Sequence, residues 1–191
     1  ALAKDEVFIC TPYFNFPKSL ARQIKKALNR GVKVTIVVGD KTANDFYIPP
    51  EKEFKTIAGL PYLYEMNLRR FAKVNEANIA SRMLNIRVWK HDSNSYHLKG
   101  IWVDKRYMLI TGNNLNPRAW KLDLENAILI QDHYNHLTEK FEKEVENILQ
   151  HTELICTYRQ LDKVENYPLE VQKLIRKITR VSVDKILKQI L

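Results

Sequence analysis

The spacing of apolar residues along the first forty positions predicts a strand, a helix and a second strand. Residues 6–14 form an apolar run rich in β-branched and aromatic side chains, as strands do. The following residues are apolar at helical spacing, at Leu20, Ile24 and Leu28. Residues 32–40 are almost continuously β-branched, which is typical of a strand covered on both faces. A strand, a helix and a strand in this order predict that the two strands lie parallel.

The rest of the chain continues this alternation of helices and strands. Residues 51–83 predict one or two helices, and amphipathic helices are expected at 136–152 and 167–191. Apolar runs bounded by turn residues predict four more strands, at 84–92, 96–103, 106–112 and 125–132. This order of elements indicates an α/β fold, and 191 residues suffice for one sizeable core.

The charge of the chain indicates a polyanionic partner. It has 31 Lys and Arg against 22 Asp and Glu, a formal net charge of +9. Nucleic acid, anionic lipid headgroups and phosphorylated substrates would all be attracted, and charge alone does not choose among them. No apolar run approaches the roughly 18 residues of a membrane-spanning helix. Because the chain starts without Met and without a basic leader, we expect a fragment of a longer protein.

The two cysteines indicate the redox state of the compartment in which the protein is found. Cys10 and Cys156 both lie in apolar surroundings, so we expect both to be buried. A chain of this length needs no disulfide to hold its core together. We therefore interpret both as reduced packing residues of a cytosolic protein.

The segment 93–127 carries the candidate chemistry. His97 and Lys99 are two residues apart, and in a strand such residues point to the same face. A neutral imidazole can attack phosphorus, while a neighbouring ammonium neutralises charge that develops on the phosphoryl oxygens. The alternative is an exposed His and Lys on a hairpin with no chemical role.

Three further features favour the chemical interpretation. Asp104 completes a pattern H-x-K-x4-D, although its place at a turn predicts that it organises the hairpin. The loop 111–118 supplies asparagines and backbone N–H groups, a donor set suited to phosphate. Glu125 begins the next predicted strand, where its carboxylate could hold the second ring nitrogen of His97 and fix the tautomer.

These residues resemble the HKD signature of the phospholipase D superfamily, which continues through G-S-x-N to an arginine. Asn114 and Arg118 occupy the matching positions, whereas Thr111 and Gly112 stand where Gly and Ser are usual. Within the superfamily, the segment 111–127 is most similar to bacterial phosphatidylserine synthases of the Gram-negative type. The resemblance covers nearly the whole chain as the C-terminal half of such an enzyme. It implies an α-β-α sandwich with a mixed central sheet.

The resemblance also implies a domain division and an activity. Residues 1–155 would form the HKD catalytic domain and 156–191 a basic helical segment packed on it. The activity would be transfer of a phosphatidyl group from CDP-diacylglycerol to L-serine, with release of CMP, through a phosphatidyl-histidine intermediate. No cofactor and no metal is expected. Because the family builds its site from two HKD motifs, the second would come from a missing N-terminal half or from a homodimer partner.

Site residues follow from the same resemblance. The expected catalytic residues are His97, Lys99, Asp104 and Glu125. The expected ligands of the substrate phosphate are Lys99, Asn114, Asn116 and Arg118, with the alternative that Asn116 and Arg118 only shape the loop before Pro117. We expect the protein in the cytoplasm, peripherally associated with the inner face of the cell membrane through anionic lipid, with nucleic acid a less favoured partner.

The sequence is also compatible with other functions. A cardiolipin-type synthase or a phospholipase D would use another acceptor, and an HKD nuclease would also explain the net charge of +9. A non-catalytic module that binds anionic membrane or nucleic acid is a further alternative. The basic segment 67–84 and the tail either contact a membrane, with Phe71, Leu84, Ile186 or Leu187 inserted, or pack on the domain. For the tail we favour packing through Leu169, Leu174, Ile175 and Ile178.

Overall fold

A computed structural model describes residues 3–180 of the chain. The strands are β1 (Glu6–Thr11), β2 (Lys33–Gly39), β3 (Leu84–Trp89), β4 (Gly100–Val103), β5 (Tyr107–Thr111), β6 (Ala127–Gln131) and β7 (Thr152–Ile155). They form one mixed sheet in the order β6-β5-β4-β1-β2-β3-β7. Strands β1, β2 and β3 run parallel, and the remaining neighbours pair antiparallel.

Six α-helices accompany the sheet in the described part of the chain. They are α1 (Lys18–Asn29), α2 (Leu60–Val74), α3 (Glu76–Ala80), α4 (Pro117–Leu122), α5 (Thr138–Leu149) and α6 (Leu169–Arg180). Short 3-10 helices lie at Lys41–Ala43, Thr56–Gly59, Tyr158–Gln160 and Val164–Asn166. Within residues 3–180, no helix combines the length and the apolar character needed to cross a membrane.

Helices cover both faces of the sheet because its central strands are apolar on both faces. On one face, α1, α2 and α3 pack on inward residues of β1, β2 and β3, such as Ile9 and Ile36. On the other face, Phe141 and Ile148 of α5 pack with Trp102 of β4. Burial of each such side chain stabilises the fold by about 2 kcal/mol before entropy costs are counted. Helix α6 packs on α2 in a third cluster of apolar residues.

The strand register brings several loops to one edge of the sheet. Cys10 near the end of β1 pairs with Gly100 at the start of β4. Gly100 in turn pairs with Ile110 near the end of β5, and β6 starts beside that end. The ends of β1, β2 and β5 and the starts of β4 and β6 therefore meet at what we call the carboxyl edge. Ligand sites of α/β sheets typically lie outside the carboxyl ends of parallel strands.

The α/β fold with its mixed central sheet and the parallel pairing of β1 with β2 confirm the predictions. The strand predicted at 96–103 is shorter, because it begins at Gly100 and residues 92–99 form a loop. Two short elements, β7 and α4, were not predicted from the sequence. Strand β7 has only four residues, and the predicted loop at 111–118 gives way to α4 at Pro117.

The expectation that both cysteines are buried is correct for one of them. Cys10 is fully buried, and burial raises the pKa of its thiol to about 12. Cys156 is exposed, because it directly follows β7, which is an edge strand of the sheet. The prediction of burial for Cys156 is therefore wrong.

The amphipathic segments pack on the domain where the structure describes them. Phe71 packs against the core and Leu84 is fully buried, so neither is available to a membrane. In α6, Ile175 is buried, Leu174 is half-buried and Ile178 packs against the same cluster, as the predicted stripe requires. Leu169 is exposed, contrary to that prediction, and Val171 is buried in addition. The other two residues proposed for membrane insertion, Ile186 and Leu187, lie outside the described residues.

Candidate active site

His97 lies at the carboxyl edge between two charged side chains. Its Nδ1 lies 3.4 Å from Nζ of Lys99, so the two side chains stand side by side as predicted. Its Nε2 lies 2.7 Å from Oδ2 of Asp45, in the loop that follows β2. About half of the imidazole remains exposed, so a substrate can reach it.

These two contacts define one protonation pattern for the neutral ring. An ionised carboxylate only accepts hydrogen bonds, so Nε2 of His97 carries the proton toward Asp45. An ammonium only donates, so Nδ1 presents its lone pair toward Lys99. The ring thus offers a basic nitrogen directly beside a positive charge, which is the arrangement that attack on a phosphoryl group requires.

Lys99 lies among charges of both signs. Burial lowers the pKa of its ammonium, while Glu125 and Asp45 act in the opposite direction, and the net result is a pKa below the ordinary value of 10.5. In its charged form, the ammonium of Lys99 can neutralise an anionic group bound at His97.

Glu125 does not hold the ring of His97 in this structure, contrary to the prediction. Both ring nitrogens of His97 contact other residues, and Asp45 occupies the position expected for Glu125. The carboxylate of Glu125 instead lies above Gly112, where an added Cβ would come within 2.6 Å of its Oε2. Glycine at position 112 therefore makes room for Glu125 on the side of the site that Lys99 faces.

The loop after β5 contributes amide groups to the same edge. The side-chain oxygens of Asn113 and Asn114 are buried without a hydrogen-bond partner in the described structure. An oxygen of this kind costs about 1 to 3 kcal/mol unless a hydrogen-bond donor reaches it. Because an amide oxygen only accepts, an anionic phosphate would be bound by the amide nitrogen of such a side chain and not by its oxygen. The backbone N–H of Asn113 is already bonded, because it donates to Oγ1 of Thr111.

Asn116 and Arg118 have different surroundings. Asn116 is buried, and its Oδ1 accepts a hydrogen bond from the backbone N–H of Ala119 at 2.8 Å, so it caps the start of α4. Its side-chain oxygen therefore positions the loop, and the structure does not support the prediction that Asn116 is a phosphate ligand. Arg118 is largely exposed, and its Nε lies 3.7 Å from Oδ1 of Asp123. Burial raises the pKa of the Tyr64 phenol, and the charge of Arg118 acts in the opposite direction without outweighing it.

Asp104 lies at the opposite edge of the sheet. Val103 at the end of β4 pairs with Val7 near the start of β1, so Asp104 is about 16 Å along the chain from Lys99. Its carboxylate accepts hydrogen bonds from three successive backbone N–H groups, of Lys4, Asp5 and Glu6, each at 2.9 Å. The third residue of the HKD pattern therefore fixes the start of β1 and does not reach a substrate bound at His97. This placement contradicts a direct catalytic role and agrees with the predicted structural one.

Replacement of Asp104 tests this structural role. Burial acts to raise the pKa of Asp104, but the three N–H donors outweigh it and hold the pKa below the ordinary value. We expect Asp104→Ala to lower the free energy of unfolding by about 2 to 3 kcal/mol, because three charge-assisted hydrogen bonds are lost and Ala is strained at φ 52°. Asp104→Asn is the matched variant, since it tolerates positive φ and keeps one acceptor, and it should lose less.

The pH dependence of unfolding is the readout for this prediction. A carboxyl group whose pKa is lower in the folded than in the unfolded state stabilises the fold at pH values above its unfolded pKa of about 3.9. This stabilisation is lost as the pH falls through the pKa that the group has in the folded state. The difference in the free energy of unfolding between the wild type and Asp104→Ala, measured with denaturant, should therefore become smaller as the pH falls below about 4. An equal difference at pH 7 and pH 2.5 would contradict the account.

Asp45 and Tyr13 were not among the predicted residues, but Asp45 contacts His97 and the hydroxyl of Tyr13 donates to Oδ2 of Asp45 at 2.9 Å. The sequence does carry one signal, since residues 41–50 directly follow the apolar run 32–40, and ligand sites of α/β proteins typically lie at the carboxyl ends of such strands. Nothing in the spacing links that loop to His97, about fifty positions further along the chain. Only the register that sets β4 beside β1 brings the two segments together.

The imidazole of His97 paired with the ammonium of Lys99, at the carboxyl edge of a mixed α/β sheet, agrees with the resemblance to the phospholipase D superfamily. The chain belongs to the family described as "Cardiolipin synthase, PLD-like domain", which matches residues 1–149. The crystal structure of Nuc from Salmonella typhimurium, a phospholipase D family member, shares this fold. It has a TM-score of 0.54 and 18% identity over 81% of this chain and 84% of that one.

Two more similar relatives are bacterial phosphatidyltransferases. The chain is 54% identical over 189 residues to the CDP-diacylglycerol–serine O-phosphatidyltransferase of Escherichia coli K12, covering 99% of this chain and 42% of that protein. The crystal structure of phosphatidylserine synthase from Haemophilus influenzae has a TM-score of 0.96 and 52% identity, again with 99% and 42% coverage. The chain therefore spans less than half the length of the relatives it matches.

Proposed function

We propose that this chain is the C-terminal part of a phosphatidyltransferase that moves a phosphatidyl group from CDP-diacylglycerol to L-serine and releases CMP. The observation that carries the proposal is the His97–Lys99 pair at the carboxyl edge, with a basic ring nitrogen beside a cation. The similarity to two phosphatidylserine synthases supports the choice of substrates.

The proposed reaction has two steps at one phosphorus atom. One histidine nitrogen forms a bond to phosphorus while the bond to the CMP oxygen breaks, and a second histidine donates its proton to that oxygen. The second histidine then takes the proton of the serine hydroxyl, the serine oxygen bonds to phosphorus, and the phosphorus–nitrogen bond breaks. Lys99, Asn114 and Arg118 bind the phosphoryl oxygens, whose negative charge increases in both transition states.

His97 supplies one of these two histidines, and the second comes from outside the described residues. Several apolar side chains between residues 98 and 128, the part of the chain that carries Lys99 and the loop after β5, are exposed, and we call them the apolar rim: Leu98, Ile110, Trp120, Leu122, Leu124 and Ile128. A contiguous exposed apolar surface usually marks an interface. We propose that it contacts a second HKD motif, in an upstream half of the same polypeptide or in a second copy of this chain. The enzyme would act at the cytoplasmic membrane surface, with its basic residues facing anionic lipid.

The test is serine-dependent CMP release from CDP-diacylglycerol in mixed micelles. Two proteins are compared: this chain alone, and an extended enzyme in which it follows the upstream segment that brings it to the length of its relatives. We expect CMP release by the extended enzyme to require serine, with glycerol 3-phosphate and water as poor acceptors. Turnover by the isolated chain would assign the second motif to a homodimer. CMP release that does not depend on serine would refute the proposed acceptor. DNA cleavage that weakens with added salt, without any CMP release, would refute it as well.

Two asparagines of the same loop provide a matched pair of variants. Asn114→Ala removes the proposed phosphate ligand, and we expect kcat/KM for CDP-diacylglycerol to fall about 10- to 100-fold with little change in stability. Asn116→Ala removes the cap of α4, and we expect a loss of about 1 kcal/mol in the free energy of unfolding. Kinetics and thermal unfolding of both variants distinguish the two roles. If Asn114→Ala binds and turns over substrate normally, Asn114 is not a ligand.

A further inference from the structure

The phenol of Tyr64 is a buried polar group whose hydroxyl has no hydrogen-bond partner among residues 3–180. Tyr64 lies in the second turn of α2, and only 7% of it is exposed. Its ring stacks on the ring of Tyr13, with centroids 5.2 Å apart and an angle of 15° between the planes. Since packing fixes the ring, its hydroxyl is a donor that is already ordered before a ligand binds.

Tyr13 connects this phenol to the histidine of the site. The hydroxyl of Tyr13 donates to Oδ2 of Asp45 at 2.9 Å, and Asp45 contacts His97. The ring of Tyr13 lies edge-on to the imidazole, with centroids 6.4 Å apart. A single aromatic ring therefore separates Tyr64 from His97.

The loop after β5 packs on the same side of α2 as this phenol. Leu115 of that loop belongs to the same buried apolar cluster as Phe14 and Leu68. Residues four apart share one face of a helix, so Leu68 lies on the face of α2 that carries Tyr64. Arg118 follows three residues after Leu115, at the start of α4. Helix α2 and the start of α4 therefore both contribute polar side chains close to the site.

The charges of Arg118 and Tyr64 suit an anionic ligand. The Arg118 side chain is 60% exposed, and its described ion pair with Asp123 is long, at 3.7 Å. Its planar guanidinium is therefore accessible, and this group binds phosphate through two parallel hydrogen bonds. Burial raises the pKa of the Tyr64 phenol to about 12 against the opposing charge of Arg118, so the phenol keeps its proton at neutral pH and can donate.

The proposed substrate needs donors for two linked phosphates. His97 and Lys99 act at the phosphorus that is attacked. When the bond from that phosphorus to the bridging oxygen breaks, its electron pair stays on the oxygen, which leaves with CMP. Negative charge therefore grows on the CMP phosphate until the second histidine delivers its proton. Donors fixed beside that phosphate would lower the barrier, because they bind the developing charge.

We propose that the hydroxyl of Tyr64, together with Arg118, binds the phosphate of the departing CMP, while Lys99 and Asn114 serve the phosphorus that reacts. The inference rests on the proposed function for the identity of the substrate, but the affinity for linked phosphates can be measured without it. Tyr64 is thus a substrate-binding residue from α2, outside the segment 93–127 that carries the motif.

The first test is calorimetric titration of the extended enzyme with inorganic pyrophosphate, which has two linked phosphates but neither lipid nor base. Tyr64→Phe removes only the hydroxyl, and we expect Kd for pyrophosphate to rise about 10- to 100-fold, as for other hydrogen bonds to charged groups. The matched control is Tyr62→Phe, because Tyr62 is also a buried tyrosine of α2 but packs on Tyr167. It should bind pyrophosphate as the wild type does. Unchanged affinity in folded Tyr64→Phe, or no binding by the wild type, would overturn the proposal.

The second test compares two substrates that differ only in the leaving group. They are CDP-diacylglycerol and the p-nitrophenyl ester of phosphatidic acid, whose leaving group has no phosphate. We expect Tyr64→Phe to lower kcat/KM about 10- to 100-fold for the first substrate and less than about threefold for the second. Lys99→Met should impair both.

Thermal unfolding checks each variant, and the exposed Arg118→Gln, with the same expected pattern, carries the test if Tyr64→Phe is unstable. Equal losses on both substrates would overturn the proposal, because they would show a general effect on the site. If the wild type transfers a phosphatidyl group from neither substrate, the proposed function fails while the pyrophosphate titration still decides the subsite.

Discussion

Replacing His97 by alanine in the extended enzyme should abolish serine-dependent CMP release, with a loss of roughly 10⁴-fold or more in kcat. The reason is that, in the proposed reaction, His97 either forms the covalent bond to phosphorus or protonates the leaving CMP, with its Nδ1 3.4 Å from Nζ of Lys99. The loss should appear in kcat with little change in KM for CDP-diacylglycerol, because Lys99 and the loop after β5 continue to bind the phosphate.

The matched control for this prediction is His133→Ala. His133 is exposed and lies beyond β6, where its ring contacts only Tyr134 among the aromatic residues described. We expect this variant to retain wild-type turnover. Substantial activity in a correctly folded His97→Ala enzyme would mean that the chemistry takes place elsewhere.

Replacing Lys99 by methionine should lower kcat about 10²- to 10³-fold, the second-largest effect that we expect. Methionine has a similar size but lacks the cation that, in the proposed reaction, neutralises the phosphoryl oxygens in the transition state. Lys99→Arg should recover part of the activity, because it restores the charge with a different shape. The measurement is again CMP release under saturating substrate.

The pH profile adds a signature that a loss of structure would not produce. The pKa of Lys99 is lowered, chiefly by burial, so the required cation is lost as the pH rises through a value below 10.5. An arginine remains charged over this whole range. We therefore expect the alkaline decline of activity to move to higher pH in Lys99→Arg. An alkaline limb that stays in place would show that Lys99 does not cause it.

The sequence predicted the parts of the site that lie within one continuous segment. His97 and Lys99 are two residues apart, so their adjacency follows from local backbone geometry and is confirmed by the 3.4 Å contact. The same reasoning identified the loop after β5 and the turn that carries Asp104. Local patterns also defined most strands and helices, because the period of apolar residues reflects which faces are covered.

Contacts between segments that are far apart in the sequence could not be predicted from local patterns. The prediction that Glu125 orients His97 followed chain order and is wrong for this structure, because Asp45 from the loop after β2 occupies that position. The choice between these carboxylates depends on how β4 inserts beside β1, which is a property of the whole sheet. Asn116 likewise looked like a phosphate ligand by composition, whereas its capping role depends on the local start of α4.

The most direct test of the account is an exchange reaction without serine. The extended enzyme is incubated with CDP-diacylglycerol and labelled CMP, and incorporation of label into the lipid is followed. A covalent phosphatidyl-histidine intermediate predicts that exchange occurs in the wild type without any acceptor and is absent in His97→Ala. Serine-dependent synthesis without any exchange, or exchange that survives the loss of His97, would contradict transfer through this site.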